Sequence, residues 1–516
     1  MTATIPYYDW ITHHADRRPA GLAIHDLHTG RKLTYRQLDE RARRLAAHLQ
    51  TNGVGKTDRV ALLAPNCPEY FELQFACGRI GSVMVPLNWR LTVPELTYIL
   101  GDCAPKVLIH DSSFKAQAQA LQAQCTIPHL LEIDIDRADS SYERAVMAAS
   151  PAPTLVPLTH DDTSTIMYTS GTTGHPKGAI ITHGMTFWNV VNLGIPAMIS
   201  PATVQLVVLP LFHTGGLNCY ANPVLHAGGA ILIMRAFEPG AALDHICDEA
   251  LGITHFFAVP APYQFMMQHP KFQDADFSRL QMAGVGGAPC ALAILEAWAA
   301  RGVPLVQGYG MTETSPGTSM LDAADAIRKV GSAGKPFMHT ELRIVDEAGR
   351  DVPRGAIGEL WTRGPNITPG YWNNPDATRK AFVDGWLKTG DAARRDDEGF
   401  VYIVDRWKDM YISGGENVYP AEVENVIFQL PQVADAAVIG VPSDRWGEVG
   451  KAVIVIKPGE TLSEPDVVTH CLARLAKFKV PQTVEFVEAL PRNATGKVLK
   501  RELRTQFVGT SAPAIT

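Results

Sequence analysis

The sequence has no Cys-x-x-Cys pair, although it carries eight cysteines: Cys67, Cys77, Cys103, Cys125, Cys219, Cys247, Cys290 and Cys471. Their scatter argues against zinc spacing, a thioredoxin-like redox motif and a compact disulfide framework, and reads as reduced thiols in a cytoplasmic protein. Basic charge is in deficit, because 46 Lys and Arg face 53 Asp and Glu for a formal net charge of −7. That balance supplies no general field for nucleic acid, so any anionic ligand has to be met by local features. Long hydrophobic runs are missing as well. The most apolar stretches, such as Thr203 to Phe212 and Ala227 to Met234, are too short to span a bilayer and are interrupted by Pro or Gly, so they are expected to be buried strands. The opening MTATIPYYDWITHHADRRP lacks the basic, apolar and small-residue order of a secretory signal peptide.

What is present fits an enzyme of more than one domain. The 516 residues exceed the roughly 250 to 300 at which a single core stops growing. Apolar residues at 46% and charged residues at 19% rule out disorder on a large scale. Thr34-Tyr35-Arg36-Gln37 has capping-box spacing, Leu38, Ala42, Leu45 and Leu49 follow on one face, and Gly53 closes the predicted helix. Arg59 to Leu63 reads as a strand. Similar short runs at 107–109, 206–209, 230–234 and 255–259 alternate with helical patterns, which predicts α/β layers to about residue 320. From Gly331 to Ile403 shorter, Gly-punctuated strands predict a β-rich subdomain. After Asp405-Arg406-Trp407-Lys408 the pattern changes. Strands over 434–441, 452–456 and 483–487, with a helix capped by Ser463 and running towards Phe478, predict a separate α+β domain of ordinary size. The expected division is 1–405 (with 330–405 as the β-rich part), a hinge at 406–408, and a C-terminal domain at 409–516.

The most informative segment is Thr169-Ser170-Gly171-Thr172-Thr173-Gly174-His175-Pro176-Lys177-Gly178, with three Gly, four hydroxyls and one Lys in ten residues. Glycines let backbone N–H groups approach an anion closely, hydroxyls add rotatable donors, and the ammonium adds a point charge, so the loop suits a polyphosphate. It does not follow the G-x-x-x-x-G-K-[ST] pattern, and predicted strands at 165–168 and 179–182 flank it, so no helix N-terminus is required.

This loop resembles the phosphate loop of the adenylate-forming (acyl-CoA synthetase, AMP-binding) superfamily, which contains acyl-CoA synthetases, luciferases and peptide-synthetase adenylation domains. The resemblance covers nearly the whole chain. Six further strings follow in the family's order: Gly286-Gly287-Ala288-Pro289, Gly308-Tyr309-Gly310-Met311-Thr312-Glu313, Gly358-Glu359-Leu360, Thr389-Gly390-Asp391, Asp405-Arg406-Trp407-Lys408-Asp409, and Pro491-Arg492-Asn493-Ala494-Thr495-Gly496-Lys497. The resemblance implies a large multi-layer α/β N-terminal domain and a small mobile α+β C-terminal domain. It implies attack of a carboxylate on the α-phosphate of ATP with Mg2+ present, then transfer of the acyl group to CoA.

Residue by residue, the resemblance implies that Lys497 bridges substrate carboxylate and α-phosphate and that Glu313, beside Thr312, ligates Mg2+. Thr169, Ser170, Gly171, Thr172, Thr173, Gly174 and Lys177 would hold the phosphates. Tyr309, followed by Gly310, would stack on adenine opposite Gly287, Ala288 and Pro289, while Asp391 and Arg406 would contact the ribose. Lys408 resembles the pivot about which the small domain turns between the half-reactions. Gly414 and Gly415 would then line the pantetheine tunnel, and Trp446 and Phe478 would help hold the CoA nucleotide. The basic pattern after Phe478 departs from the family, with Val480 and Gln482 where cations are sometimes found.

For the acid, Leu211-Phe212-His213-Thr214-Gly215-Gly216 has no Asp after the aromatic, so an α-amino group would find no anion. His213 resembles the gate residue of fatty-acid and aryl (hydroxycinnamate) CoA ligases. Expected lining residues are Phe187-Trp188, Phe256-Phe257, Tyr263, Val285 and Met311 to Ser315, which suits a hydrophobic monocarboxylate, either a fatty acid or an arylpropenoic acid such as ferulate. The expected partners are that acid and CoA, with no nucleic acid and no integral membrane segment, in a monomer or homodimer. Two alternatives stay open at this stage: loading of a carrier-protein thiol, and a catalytically dead nucleotide- or acyl-binding regulator.

Overall fold

The computed structural model describes residues 4–137, 139–169, 176–288, 290–406, 409–413, 416–443, 445–492 and 498–508. Four sheets organise them. The first has six strands in the spatial order His129–Ile133, Val107–Asp111, Arg59–Leu63, Val83–Pro86, Thr163–Thr169 and Lys177–Thr182. All its pairs are parallel except the last, where the two strands flanking the phosphate loop form an antiparallel pair. The second sheet has nine strands. Its middle is parallel, from Leu22–Asp26 through Ala230–Ile233, Val204–Val207, His255–Ala258 and Met282–Val285 to Val306–Gly310. Antiparallel strands finish both edges.

The main core lies between these two sheets and includes the predicted helix, Tyr35–Thr51, whose Thr34–Gln37 capping box is present as read. Its neighbour Glu69–Ile80 is buried along its whole length, including Glu69, Glu72 and Arg79. Burying such charges is costly unless each is paired. Glu72 accepts from Arg31 at 2.6 Å, Arg41 at 2.7 Å and the Tyr142 hydroxyl at 2.7 Å, and Arg79 reaches Asp9 at 2.8 Å and Asp39 at 2.6 Å.

The third sheet is antiparallel and covers Glu341–Val345, Gly358–Arg363, Phe382–Val383, Trp386–Arg395 and Val401–Arg406. Its strands are not uniformly short, since Trp386–Arg395 runs for 10 residues and pairs with three of the other four. The fourth sheet joins Tyr411–Ser413, Glu416–Val418, Val433–Ser443 and Gly447–Ile456, with Thr483–Phe486 added in parallel. The helix capped by Ser463 stops at Leu472 instead of running towards Phe478. Amides of the following turn satisfy its last carbonyls, with Ala473 N donating to Thr469 and Leu475 N to Cys471, while Leu475 turns into the small core. Among the described residues no helix is long and apolar enough to cross a membrane.

Candidate active site

Strands Met282–Val285 and Val306–Gly310 end side by side at a cleft of about 2740 Å3. Beyond the first strand, Gly287 has φ +78°, a left-handed conformation that glycine adopts without strain. Gly287 and Ala288 line the cleft, whereas Pro289 lies outside the described residues. Tyr309 donates its hydroxyl to Asp391 Oδ2 at 2.5 Å, and Arg406 Nε pairs with Asp391 Oδ1 at 2.8 Å. Asp391 and Arg406 are opposite one another in an antiparallel pair, so strand register itself brings them together. Burial, and after it the Asp391 charge, pushes the Tyr309 pKa up, so its hydroxyl remains a donor at neutral pH.

The second strand stops at Gly310, where any Cβ would collide with the carbonyl of Pro316. The chain then makes one 3-10 turn, Thr312–Thr314, which buries Thr312 and Glu313 at the edge of the cleft. Glu313 Oε1 accepts from the Tyr371 hydroxyl at 2.8 Å, and its carbonyl accepts from Thr368 N at 2.8 Å. No group of three or more His, Cys, Asp or Glu fit to hold a metal occurs among the described residues. A single carboxylate fits Mg2+, which is commonly held by one or two protein carboxylates together with substrate phosphates.

Thr169 and Lys177 are register partners in the antiparallel pair, and the Thr169 hydroxyl donates to the Lys177 carbonyl at 3.4 Å. Both line the cleft. The Lys177 ammonium lies 5.4 Å from the centroid of the Tyr371 ring. Ser170, Gly171, Thr172, Thr173 and Gly174 lie outside the described residues.

His213 sits on a loop that a buried asparagine secures: Asn66 Nδ2 donates to Leu209 O at 3.0 Å and Met234 O at 3.1 Å, and its Oδ1 accepts from Leu211 N at 2.8 Å. His213 Nδ1 accepts from Gly215 N at 3.1 Å, so a neutral ring carries its proton on Nε2. Beyond it, Leu193, Cys219, Tyr220, Met320 and Phe337 form one buried cluster with Phe257 packed against it, and all six reach the cleft. This wall corrects part of the expected lining. Phe256 and Tyr263 pack edge-to-face at 5.2 Å in the core behind the sheet, because neighbouring strand residues point to opposite faces and only Phe257 can meet the cleft. Phe187 and Trp188 pack instead on the rings of His160 and His339. Thr314 and Ser315 are buried behind the turn, while Val285, Met311, Thr312 and Glu313 line the cleft.

From the small domain, Arg492 and Val498 form an antiparallel bridge and both line the cleft. Lys497, Lys408, Gly414 and Gly415 lie outside the described residues. Trp446 is 42% exposed and Phe478 37% exposed, and neither reaches the cleft. Val480, at a position where the family sometimes has a cation, is buried in the small core.

Comparison with known proteins matches residues 11–372 to the AMP-binding enzyme family and residues 422–497 to its C-terminal domain. The chain belongs to the AMP-binding enzyme family. It is 43% identical over 498 residues to a feruloyl-CoA synthase from Amycolatopsis sp, covering 96% of this chain and 98% of that protein. It is 40% identical over 479 residues to a long-chain-fatty-acid–CoA ligase from Mycobacterium tuberculosis, covering 93% and 94% of the two chains. The crystal structure of ATP-bound MatB from Rhodopseudomonas palustris superposes with a TM-score of 0.90 at 34% identity, covering 96% of this chain and 98% of that one.

Two features of this AMP-binding enzyme were not readable from its motifs. Tyr371 meets Glu313 from 58 residues away, and its only sequence signal is a tyrosine after glycine. Asp405, read only as part of a motif, accepts from Ala421 N at 2.8 Å, so it caps the first turn of the small-domain helix Pro420–Ile427 from the last strand of the third sheet.

Proposed function

We propose that this chain activates a hydrophobic monocarboxylate, of the fatty or arylpropenoic class such as ferulate, as an acyl-adenylate and passes the acyl group to CoA. The observation that carries the reading is the contrast within one cleft. The partly buried Tyr309–Asp391–Arg406 group and Tyr371–Glu313 pair line it together with an apolar wall of Tyr220, Phe257, Met320 and Phe337, which brings no carboxylate of its own.

In this reading Asp391, whose oxygens keep further acceptor capacity, takes the ribose hydroxyls, and Arg406 contacts the same sugar. Tyr309 faces adenine across the Gly287-Ala288 backbone. Thr169, Lys177 and the loop between them take the phosphates, and Glu313 would hold Mg2+, whose charge would offset that of the departing pyrophosphate. Lys497 adds a cation between the two anionic reactants. The carboxylate oxygen bonds to the α-phosphorus and pyrophosphate leaves. In the second step the CoA sulfur, having given up its proton, bonds to the acyl carbonyl carbon and AMP leaves. His213, donating from Nε2, gates the acid side. The small domain, beginning after a hinge at 406–408, turns about Lys408 between the two steps so that Gly414, Gly415, Trp446 and Phe478 face the CoA. All eight thiols are free, which supports a cytoplasmic setting. Relatives that are CoA ligases over their full length favour CoA over a carrier protein as acceptor.

Pyrophosphate release and thioester formation, measured over a panel of acids with CoA and with a holo-carrier protein, test this reading. Straight-chain or arylpropenoic acids are expected to outperform an α-amino acid of similar size by at least about a hundredfold, because an ammonium would be desolvated against the apolar wall with no partner. Equal efficiency for phenylalanine and cinnamic acid would contradict the acid class. Preference for the carrier protein would contradict the acceptor.

A further inference from the structure

The segment Thr368 to Trp372 touches both halves of the polyphosphate site. Trp372 N donates to Gly178 O at 2.8 Å and Ile180 N to Gly370 O at 3.1 Å, which ties the segment to the strand leaving the phosphate loop. A Cβ at Gly178 would come within 3.3 Å of the Trp372 side chain and closer still to Ile166, so the glycine permits this approach. On the other side, Thr368 N donates to the Glu313 carbonyl at 2.8 Å. Between these anchors Tyr371 is fixed by its own N–H, which donates to Thr378 Oγ1 at 2.9 Å. Its hydroxyl then reaches Glu313 Oε1 at 2.8 Å, and its ring lies 5.4 Å from the Lys177 ammonium. Glu313 Oε2 takes no hydrogen bond from the described residues.

We propose that Tyr371 is a positioning residue for the metal-binding carboxylate: its hydroxyl holds Glu313 Oε1 so that Oε2 is presented to Mg2+, while its ring seats Lys177 beside the phosphates. This rests on the reading of Glu313 as the Mg2+ carboxylate. A carboxylate on a short turn has a free terminal torsion, and one neutral donor from a rigid segment fixes it without cancelling its charge. A lysine or arginine in that place would bind Oε1 more tightly but would compete electrostatically with the metal.

The test is equilibrium binding of a non-hydrolysable ATP analogue, titrated with Mg2+, on the full chain and on Tyr371→Phe and Glu313→Gln, with AMP affinity and melting temperature measured alongside. Tyr371→Phe keeps the ring over Lys177 and removes only the donor. It is expected to raise the Mg2+ concentration for half-maximal strengthening by about tenfold, the size expected for one hydrogen bond to a charged group. AMP affinity and melting temperature should stay at wild-type values. Unchanged Mg2+ dependence in Tyr371→Phe, with a loss in Glu313→Gln, would overturn the positioning role and leave Glu313 in place. Unchanged Mg2+ dependence in Glu313→Gln would remove the metal reading itself and the proposal with it. A parallel fall of AMP affinity and melting temperature in Tyr371→Phe would also overturn it, since that is the mark of a merely structural residue.

Discussion

The large-domain and small-domain sides of the cleft differ in whether the aromatic side chains assigned to the reaction already face it. On the large-domain side, Asp391 is held on both oxygens by Tyr309 and Arg406, Glu313 by Tyr371, and the loop before His213 by Asn66. On the small-domain side, Arg492 and Lys500 reach the cleft paired with Asp435 at 2.5 Å and Glu424 at 2.7 Å, whereas Trp446 and Phe478 are exposed outside it. In the proposed reading nucleotide and acid meet a pre-organised wall, which lowers the reorganisation required during adenylation. In the proposed reading the aromatics assigned to CoA serve after the small domain presents a different face, and for that reason the reading has two orientations instead of one fixed site.

The largest effect that could break the contrast is expected at Lys497. Two opposite unit charges about 4 Å apart at an effective dielectric of about 20 attract by roughly 4 kcal/mol, or about a thousandfold in rate. Lys497→Ala is therefore expected to lower acid-dependent pyrophosphate release by that order while leaving thioester formation from supplied acyl-adenylate within about twofold, the resolution of such a rate comparison. Equal losses in both assays would show that one small-domain face serves both steps.

The contrast extends to acid sensitivity. Burial pushes the pKa of His183 and of His226 down to about 4, against about 6.5 in an unfolded chain. Between those values the unfolded state binds more protons, so these groups withdraw stability as pH falls from about 6.5 to about 4, by about 3 kcal/mol for His183 once it is complete. Both belong to the large domain, and the only histidine after residue 409 is the part-exposed His470. Hydrogen exchange corrected for intrinsic rates should show large-domain amides losing protection between pH 7 and 4.5 before the small-domain sheet does. The reverse order would place the acid-labile element in the small domain.

The smallest expected effect sharpens the comparison. Trp446→Ala removes an exposed ring over which the Arg445 guanidinium sits at 4.8 Å. It should raise the KM for CoA by about threefold to tenfold, the scale of one aromatic contact, with pyrophosphate release unchanged. A change in pyrophosphate release would place Trp446 in the adenylation site.

Features encoded in contiguous strings were legible in the sequence. The Thr34–Gln37 capping box and the strand Arg59–Leu63 need only local spacing and form as read, whereas the Gly308 to Glu313 string is legible through a family resemblance, and its residues line the cleft. What stayed hidden depends on packing between distant segments. Phe256 and Phe257 are equal candidates in sequence, and only knowledge of which sheet face meets the cleft separates them. Tyr371 acquires its place through bonds of its neighbours Trp372 and Gly370 to the backbone of Gly178 and Ile180, and of its own N–H to the Thr378 hydroxyl, that no local pattern announces. The end of the helix at Leu472 depends on Leu475 turning into the small core, a tertiary preference that overrides the helical pattern beyond it.

The most direct test of the two-orientation account is Lys408→Pro, with both half-reactions followed by rapid quench. Proline fixes φ at the proposed pivot and so restricts the turn between orientations. Pyrophosphate release from ATP and acid is expected within about twofold of wild type, while thioester formation should slow by at least about tenfold, a barrier increase of about 1.4 kcal/mol. Thioester formation at the wild-type rate, or equal slowing of both steps, would contradict rotation about Lys408.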